Sequence, residues 1–229
     1  MGNLLDDQRL LEEEADQVVE LLQLEALLSN IGRPTRVGSS AMGLMVRRDI
    51  DITVVCEDLS SETRAAFIQA GAKLMSMDRH VVSVRFRNDT GAWNTDPASY
   101  PDGLYLGVSA RTNEGIDWSL DIWAVDQPER QPDLNHLRTL LPRLDDDRRK
   151  TILLIKQALA AAKSCSSESK IPSAYVYDAV VEDGVGSVEQ FAEWLASKKA
   201  TGSPMSAIFE KYACHRPFSD SLQEFRDGG

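Results

Sequence analysis

The sequence predicts an α+β protein in which strands and helices share roughly the first 130 residues and helices alone fill the rest. Three observations support this prediction. Apolar residues recur at helical spacing near the N-terminus, several later segments alternate apolar and polar residues as strands do, and no strand pattern follows Asp133. We therefore divide the chain into a first domain, 1–130, and a helical domain, 131–229.

The first element is a helix over Leu4 to Ser29. Its leucines and valines recur every three or four residues, and the acidic run Glu12 to Glu14 lies on the opposite side. That run is typical of a solvated helix face. Gly32 and Pro34 end the helix, because both residues break helical structure.

The next segment, 36–56, reads as a strand, a turn, a short helix and a second strand. Side chains alternate across a strand, so Asp49 and Asp51 share one face while Ile50 and Ile52 point to the other. Two neighbouring carboxylates repel each other unless a cation lies between them. Carboxylates of this kind suit Mg²⁺, which fills its remaining positions with waters and substrate phosphates.

The turn before the short helix has the composition of a phosphate-binding site. Gly38 allows a ligand to approach the backbone closely, and Ser39 and Ser40 offer hydroxyls and amides at a helix start, where anions are favoured. Phosphate donors and metal-binding carboxylates are therefore predicted within one structural unit.

A helix and a strand follow. Ser60 begins the helix in the manner of an N-cap, and we expect Gly71 to end it. The segment Val81 to Arg87 then alternates to give a strand with one polar face. The loop from Asn88 to Asp102 carries two aromatic residues that either pack it down or flank a substrate opening; they are Trp93 and Tyr100.

Two more strands are predicted at 104–110 and 116–125, joined by a turn. In the second, Asp121 lies among apolar neighbours, and a buried aspartate is costly unless it is paired or bound to a metal. Asp121 is therefore either a hydrogen-bonded structural carboxylate or a third functional one.

Helices dominate the remainder. The segment 145–163 has an apolar face with cations between, and Ser187 begins a capping box. Further short helices are predicted at 175–182, 187–197 and 203–215, after a polar linker at 164–169. The cations at Lys150 and Lys156 either keep the first of these helices soluble or serve a ligand.

The sequence lacks the patterns of several functional classes. The sequence has no apolar run of about 18 residues and no signal-peptide pattern, so we expect no membrane partner and a cytoplasmic location. Its three cysteines and three histidines show no metal-binding spacing. Neither GxxxxGK[ST], GxGxxG nor GxSxG occurs.

The net charge of −11 bears on the partner. Proteins that grip nucleic-acid backbones normally present a basic face, because affinity comes largely from releasing phosphate counterions. An acidic chain disfavours a nucleic-acid partner without excluding it. A small or cationic acceptor fits the charge better, and the sequence leaves the oligomeric state open.

The segment from Gly38-Ser39 to Asp49-Ile50-Asp51 resembles the Gly-Ser…Asp-x-Asp signature of the DNA polymerase beta-like nucleotidyltransferases, especially the small bacterial members that modify antibiotics. The motif covers about a tenth of the chain, and the wider resemblance covers roughly residues 5–165. It implies a mixed β-sheet flanked by helices. It also implies a third carboxylate on a later strand, a position that Asp121 matches better than Asp117 or Asp126.

The resemblance implies transfer of a nucleoside monophosphate from a nucleoside triphosphate, such as ATP, to a hydroxyl of a small-molecule acceptor, with release of pyrophosphate. Two Mg²⁺ ions would be held by Asp49, Asp51 and Asp121. The triphosphate would be bound by a further set of residues: Gly38, Ser39, Ser40, Arg48 and Lys156. Two alternatives stay open, namely nucleotidylation of a protein or tRNA by a toxin-antitoxin-type enzyme, and a non-catalytic nucleotide-binding module.

Overall fold

The computed structural model describes residues 3–163 and 171–200. Its internal contacts divide the chain between Arg143 and Leu144 into two compact units, and each is described by itself below. The division predicted from the sequence, after residue 130, stays a prediction.

The first unit combines a sheet with short and medium helices. Its strands are β1 (Arg33–Val37), β2 (Asp49–Val55), β3 (Val81–Asp89), β4 (Gly103–Arg111) and β5 (Asp117–Val125). Its helices are α1 (Leu4–Leu21), α2 (Leu24–Leu28), α3 (Gly38–Met42), α4 (Ser61–Met75) and α5 (Pro132–Thr139). The predicted strands and the predicted α+β class are confirmed.

The five strands form one mixed sheet in the order β1-β2-β5-β4-β3. Three of the four neighbouring pairs are antiparallel, and β2 with β5 is parallel. The parallel pair joins segments that are far apart in the sequence and places the strand of Asp49 and Asp51 beside the strand of Asp121.

One face of the sheet is apolar and packs against helices. Residues at alternate positions of β2, β4 and β5 enter this core, together with side chains from α1, α2 and α4. Burial of this apolar area is the main stabilising term. The opposite face carries the polar residues of the same strands and is called here the carboxylate face, after Asp49, Asp51 and Asp121.

The predicted first helix is in fact two helices. Gln23 adopts a left-handed conformation with φ of 50°, and it separates α1 from α2. A continuous helix would place Leu22 and Leu24 about 200° apart around its axis, so both could not face the core. The break lets both leucines be fully buried.

The prediction that Gly71 ends α4 was wrong, because the helix continues to Met75. Gly71 is buried and faces the sheet. A Cβ atom there would lie 3.3 Å from the Leu106 Cδ2 atom, which is closer than ordinary contact. The glycine therefore allows close approach of helix and sheet and does not stop the helix.

The second unit is helical in the part that the structure describes, as predicted. Its helices are α6 (Asp146–Lys163), α7 (Ser173–Val181) and α8 (Val188–Ala200), and they pack on one another. The predicted linker at 164–169 and the predicted helix at 203–215 lie outside the described residues. Within the described ranges, no helix is long and apolar enough to cross a membrane.

Candidate active site

Asp49 and Asp51 lie at the start of β2 on the carboxylate face. Both are half-buried, whereas Ile50 and Ile52 are buried in the core on the other side. The alternation read from the sequence therefore describes this strand correctly. Packing of the two isoleucines fixes the strand and with it the positions of both carboxylates.

Asp121 of β5 is brought directly beside Asp51. The two residues are Cα partners in the parallel ladder, and Asp49 is the partner of Ser119. Neighbouring strands lie about 4.8 Å apart, so the three carboxylates start from adjacent positions on one face. Asp121 is exposed, so the expectation of a buried aspartate was wrong: its apolar neighbours Leu120 and Ile122 point into the core instead.

Gly38 packs directly against the carboxylate of Asp51. It follows β1, has a positive φ of 65°, and a Cβ atom on it would lie 2.2 Å from Asp51 Oδ2. No side chain larger than hydrogen fits this position without moving the carboxylate. The register of Val37 with Asp51 places the start of α3 beside the carboxylate.

The prediction of a turn before the short helix was wrong, because α3 begins at Gly38 and includes Ser39 and Ser40. Both serines are buried. The Ser40 hydroxyl donates to the carbonyl oxygen of Val37 at 3.3 Å, which ties the first turn of α3 to the end of β1. The backbone oxygen of Ser39 accepts from the amide of Leu44 at 3.0 Å. The phosphate-binding roles of both serines stay predictions.

Tyr105 of β4 holds one oxygen of Asp121. Its hydroxyl donates to Asp121 Oδ1 at 2.5 Å. It reaches that atom across Gly107, where a Cβ atom would lie 2.5 Å from the hydroxyl. Burial and the charge of Asp121 raise the pKa of Tyr105, while the charges of Arg87 and Arg85 lower it, so the phenol stays a proton donor.

Arg87 covers the aromatic side of this contact. Its guanidinium carbon lies 4.8 Å from the ring centre of Tyr105 and 5.2 Å from that of Trp123. The two rings are 5.0 Å apart, and Arg87 also pairs with Asp89 at 2.7 Å. Stacking of this kind fixes the orientation of Tyr105 and so of its hydroxyl.

Arg48, predicted to bind phosphate, forms an ion pair with Glu14 of α1. Its Nε atom donates to Glu14 Oε2 at 2.9 Å, and a second nitrogen lies 3.4 Å from the other carboxylate oxygen. Arg36 pairs with Asp16 of the same helix. Acidic residues of α1 therefore orient arginines of the sheet region, which the interpretation as a solvated face did not foresee.

Lys156 lies in the second unit and is buried there. Its ammonium nitrogen is 3.4 Å from the hydroxyl of Tyr177 and 5.6 Å from the centre of that ring. Its predicted contact with a triphosphate stays a prediction.

The donor chemistry on the carboxylate face fits Mg²⁺. Among the described residues, no three carboxylate, imidazole or thiolate side chains lie close enough together to hold a metal ion by themselves. Mg²⁺ does not need such a cage, because it takes one or two carboxylates and completes its octahedron with waters and substrate phosphates. Asp49 and Asp51 on a rigid strand, with Asp121 beside them, suit an ion that arrives with a triphosphate.

Neither the models of known protein families nor the curated proteins give a match to this sequence. Solved structures do. Cid1 poly(U) polymerase with bound MgGTP has a TM-score of 0.52 at 18% identity, covering 72% of this chain and 48% of that one. Cid1 bound to MgATP, in a mutant form, has a TM-score of 0.51 at 21% identity, with the same coverage.

Over the matched part, the chain has the fold of these two Cid1 structures. The chain spans about half the length of the Cid1 chains that it matches. A third structure, CdnC with ATP from E. coli MS115-1, has a TM-score of 0.49 at 16% identity, covering 83% of this chain and 68% of that one.

Two residues of the site were missed in the sequence. Tyr105 and Gly107 alternate on β4 with buried Leu104, Leu106 and Val108, so the pattern indicated their face. It did not indicate a role, because their importance comes from the register of Gly107 with Asp121. That register is a long-range property.

Proposed function

We propose that this protein is a metal-dependent nucleotidyltransferase. It moves a nucleoside monophosphate from a nucleoside triphosphate to a hydroxyl of a small-molecule acceptor and releases pyrophosphate. The observation that carries the proposal is the register of Asp51 with Asp121, with Gly38 packed against the Asp51 carboxylate. The nucleotidyltransferase fold and the Mg-nucleotides named for the Cid1 structures support it.

In the proposed reaction the acceptor oxygen forms a bond to the α-phosphorus of the triphosphate. The bond from that phosphorus to the oxygen bridging to the β-phosphate breaks, and pyrophosphate leaves with the electron pair. The hydroxyl proton is taken up by Asp121 Oδ2, the carboxylate oxygen that Tyr105 does not bond, and passes to water. Gly38 and Ser39 hold the outer phosphates on the β1 side of Asp51, which is the side away from Asp121.

Two Mg²⁺ ions are proposed, with Asp49, Asp51 and Asp121 as their protein ligands. Bound there, they would supply charge stabilisation for the attacking and departing oxygens. Arg48 and Lys156 are proposed to neutralise phosphate charge, although each has a protein contact, to Glu14 and Tyr177 respectively. Ser40 contributes by holding the first turn of α3 to the end of β1.

A small acceptor is favoured by the net charge of −11. Tight binding of a nucleic-acid backbone depends on cations that release phosphate counterions. Arg48 and Arg111, two of the arginines near the sheet, are already paired with carboxylates.

The test is transfer of an α-labelled nucleoside monophosphate in the presence of Mg²⁺ to a panel of acceptors, with pyrophosphate release measured in parallel. The panel includes nucleosides, nucleotides, aminoglycosides, RNA and protein. We expect Asp51→Ala and Asp121→Asn to lower the rate by about a thousandfold, or ~4 kcal/mol of barrier. Asp117→Asn is the matched control, because Asp117 lies on the same strand and face but pairs with Arg111.

The control should stay within about threefold of the natural protein, since an exposed pair contributes little. Transfer that survives Asp51→Ala within about tenfold, or ~1.4 kcal/mol, would show that the carboxylates are not the metal ligands. Absence of transfer and of pyrophosphate release across the whole panel would refute the proposed function.

A further inference from the structure

Arg85 lies on the carboxylate face, at the edge strand β3. It is the ladder partner of Gly107 on β4, and Gly107 is the partner of Asp121 on β5. Two strand spacings, about 9.6 Å, therefore separate the Arg85 backbone from the Asp121 backbone. Gly107, the middle residue of this row, has no side chain of its own, and Tyr105 lies over this position: a Cβ atom there would be 2.5 Å from the Tyr105 hydroxyl and 3.1 Å from Cζ of its ring.

The guanidinium of Arg85 lies near enough to Tyr105 for the two groups to interact electrostatically. It is among the charges that lower the pKa of Tyr105, whose hydroxyl bonds Asp121. Arg85 itself is exposed. Within residues 3–163 and 171–200 it has no hydrogen bond or ion pair, whereas Arg87 pairs with Asp89 and Arg111 with Asp117.

A floor of small hydroxyl side chains continues beside this row. Ser83, Ser109 and Ser119 are successive ladder partners across β3, β4 and β5, and Ser119 is in turn the partner of Asp49. None of the three hydroxyls has a hydrogen bond in the described part of the chain. The floor is polar, shallow and at least partly open to solvent, since none of the three serines is buried.

The donor and the acceptor must reach Asp51 and Asp121 from different sides. Gly38 and the start of α3 lie at the β1 side of Asp51, and this is the proposed place of the triphosphate. The acceptor hydroxyl then reaches Asp121 from the β4 and β3 side. That side offers the serine floor, with the unpaired guanidinium of Arg85 at its far end.

We propose that the acceptor is a small molecule that carries a phosphate group, and that Arg85 binds this phosphate while the serine floor supports the rest. The inference rests on the proposed function and names its acceptor class. A guanidinium binds phosphate through bidentate, charge-assisted hydrogen bonds, which makes arginine suited to phosphate recognition. The cationic acceptor suggested by net charge alone fits this side less well, because it would meet a positive charge.

The test compares two acceptors that differ only in a phosphate, adenosine and AMP, in the natural protein and in Arg85→Gln. Binding of each is measured by calorimetry with the metal-free protein, and transfer to each is measured with Mg²⁺ and a labelled triphosphate. We expect AMP to bind more tightly than adenosine. We expect Arg85→Gln to weaken AMP about tenfold to a hundredfold, with adenosine and the triphosphate KM unchanged.

Arg79→Gln is the matched control, because Arg79 is an exposed arginine in the turn before β3. It should leave the preference for AMP intact. Equal binding of adenosine and AMP, or an AMP preference that survives Arg85→Gln, would overturn the inference. So would transfer to RNA or to a cationic acceptor that is unaffected by Arg85→Gln and faster than transfer to AMP.

The two proposals fail in different ways. If the protein transfers no nucleotide, pyrophosphate release is absent with every acceptor, yet the binding comparison still reports on Arg85. If only the acceptor class is wrong, transfer occurs and is insensitive to Arg85→Gln.

Discussion

Replacing Gly38 with alanine tests whether the first residue of α3 holds Asp51 in its working position. The added Cβ atom would lie 2.2 Å from Asp51 Oδ2, 2.9 Å from Cγ and 3.1 Å from Cβ. The backbone at Gly38 also has a φ of 65°, which alanine adopts with difficulty. The substitution therefore combines backbone strain with a collision at a proposed metal ligand.

The two effects differ in size and in what they change. Left-handed backbone costs a residue with a Cβ atom about 1–2 kcal/mol of stability. To relieve the collision the carboxylate must move by about 1 Å, and misplacement of that size costs about a hundredfold in rate, or ~2.7 kcal/mol. We expect a modest fall in thermal stability and a fall of at least a hundredfold in transfer.

Gly115→Ala separates these effects. Gly115 has a φ of 81° in the turn between β4 and β5, and a Cβ atom there meets nothing within 4 Å. The assays are thermal unfolding, Mg²⁺-dependent binding of a non-hydrolysable triphosphate, and pyrophosphate release. We expect Gly115→Ala to lower thermal stability without lowering triphosphate binding or pyrophosphate release. If Gly38→Ala loses no more binding and transfer than Gly115→Ala, the assignment of Gly38 as the residue that places Asp51 is wrong.

Three further predictions concern other contacts. Tyr105→Phe and Gly107→Ala should each lower the rate of transfer about tenfold, because each breaks the hydrogen bond from Tyr105 to Asp121. The double variant should be no slower than either single variant, since the same bond is lost in all three. Losses that add up in the double variant would show that the two residues act separately. Gly71→Val should destabilise the protein by about 1–3 kcal/mol in denaturant titration, because its methyl groups would overlap the sheet; an unchanged midpoint would refute this packing. Burial and nearby carboxylates raise the pKa of Cys56 to about 11, so peptide mapping should find it unalkylated at pH 8 in the native protein. The folded state then keeps the thiol proton longer than the unfolded chain, so this group's contribution to stability is full below pH 9 and is lost as the pH rises toward 11.

Much of the first unit could be predicted because its information is local. Alternation in β2 placed Asp49 and Asp51 on one face, and alternation in β5 placed Asp121 on the face opposite Leu120 and Ile122. Both patterns follow from the twofold period of a strand. The α+β class followed from the same periodicity.

What could not be predicted depends on which strands become neighbours. The register of Asp51 with Asp121, and of Asp121 with Gly107, follows from the strand order and from no local pattern. The pairing of Arg48 with Glu14 likewise joins residues 34 positions apart. The predicted end of α4 at Gly71 was wrong because a glycine that lets a helix pack closely on a sheet cannot be told, from sequence, from one that ends a helix.

The parallel pairing of β2 with β5 ties the proposed chemistry to the late stages of folding. Every element from α4 to β4 lies between the two strands in the sequence. Closing so long a segment is slow, because its entropy is lost before the contact is made. Until β2 and β5 pair, Asp121 is not held beside Asp49 and Asp51, so the proposed site is complete only after this long-range pairing has formed.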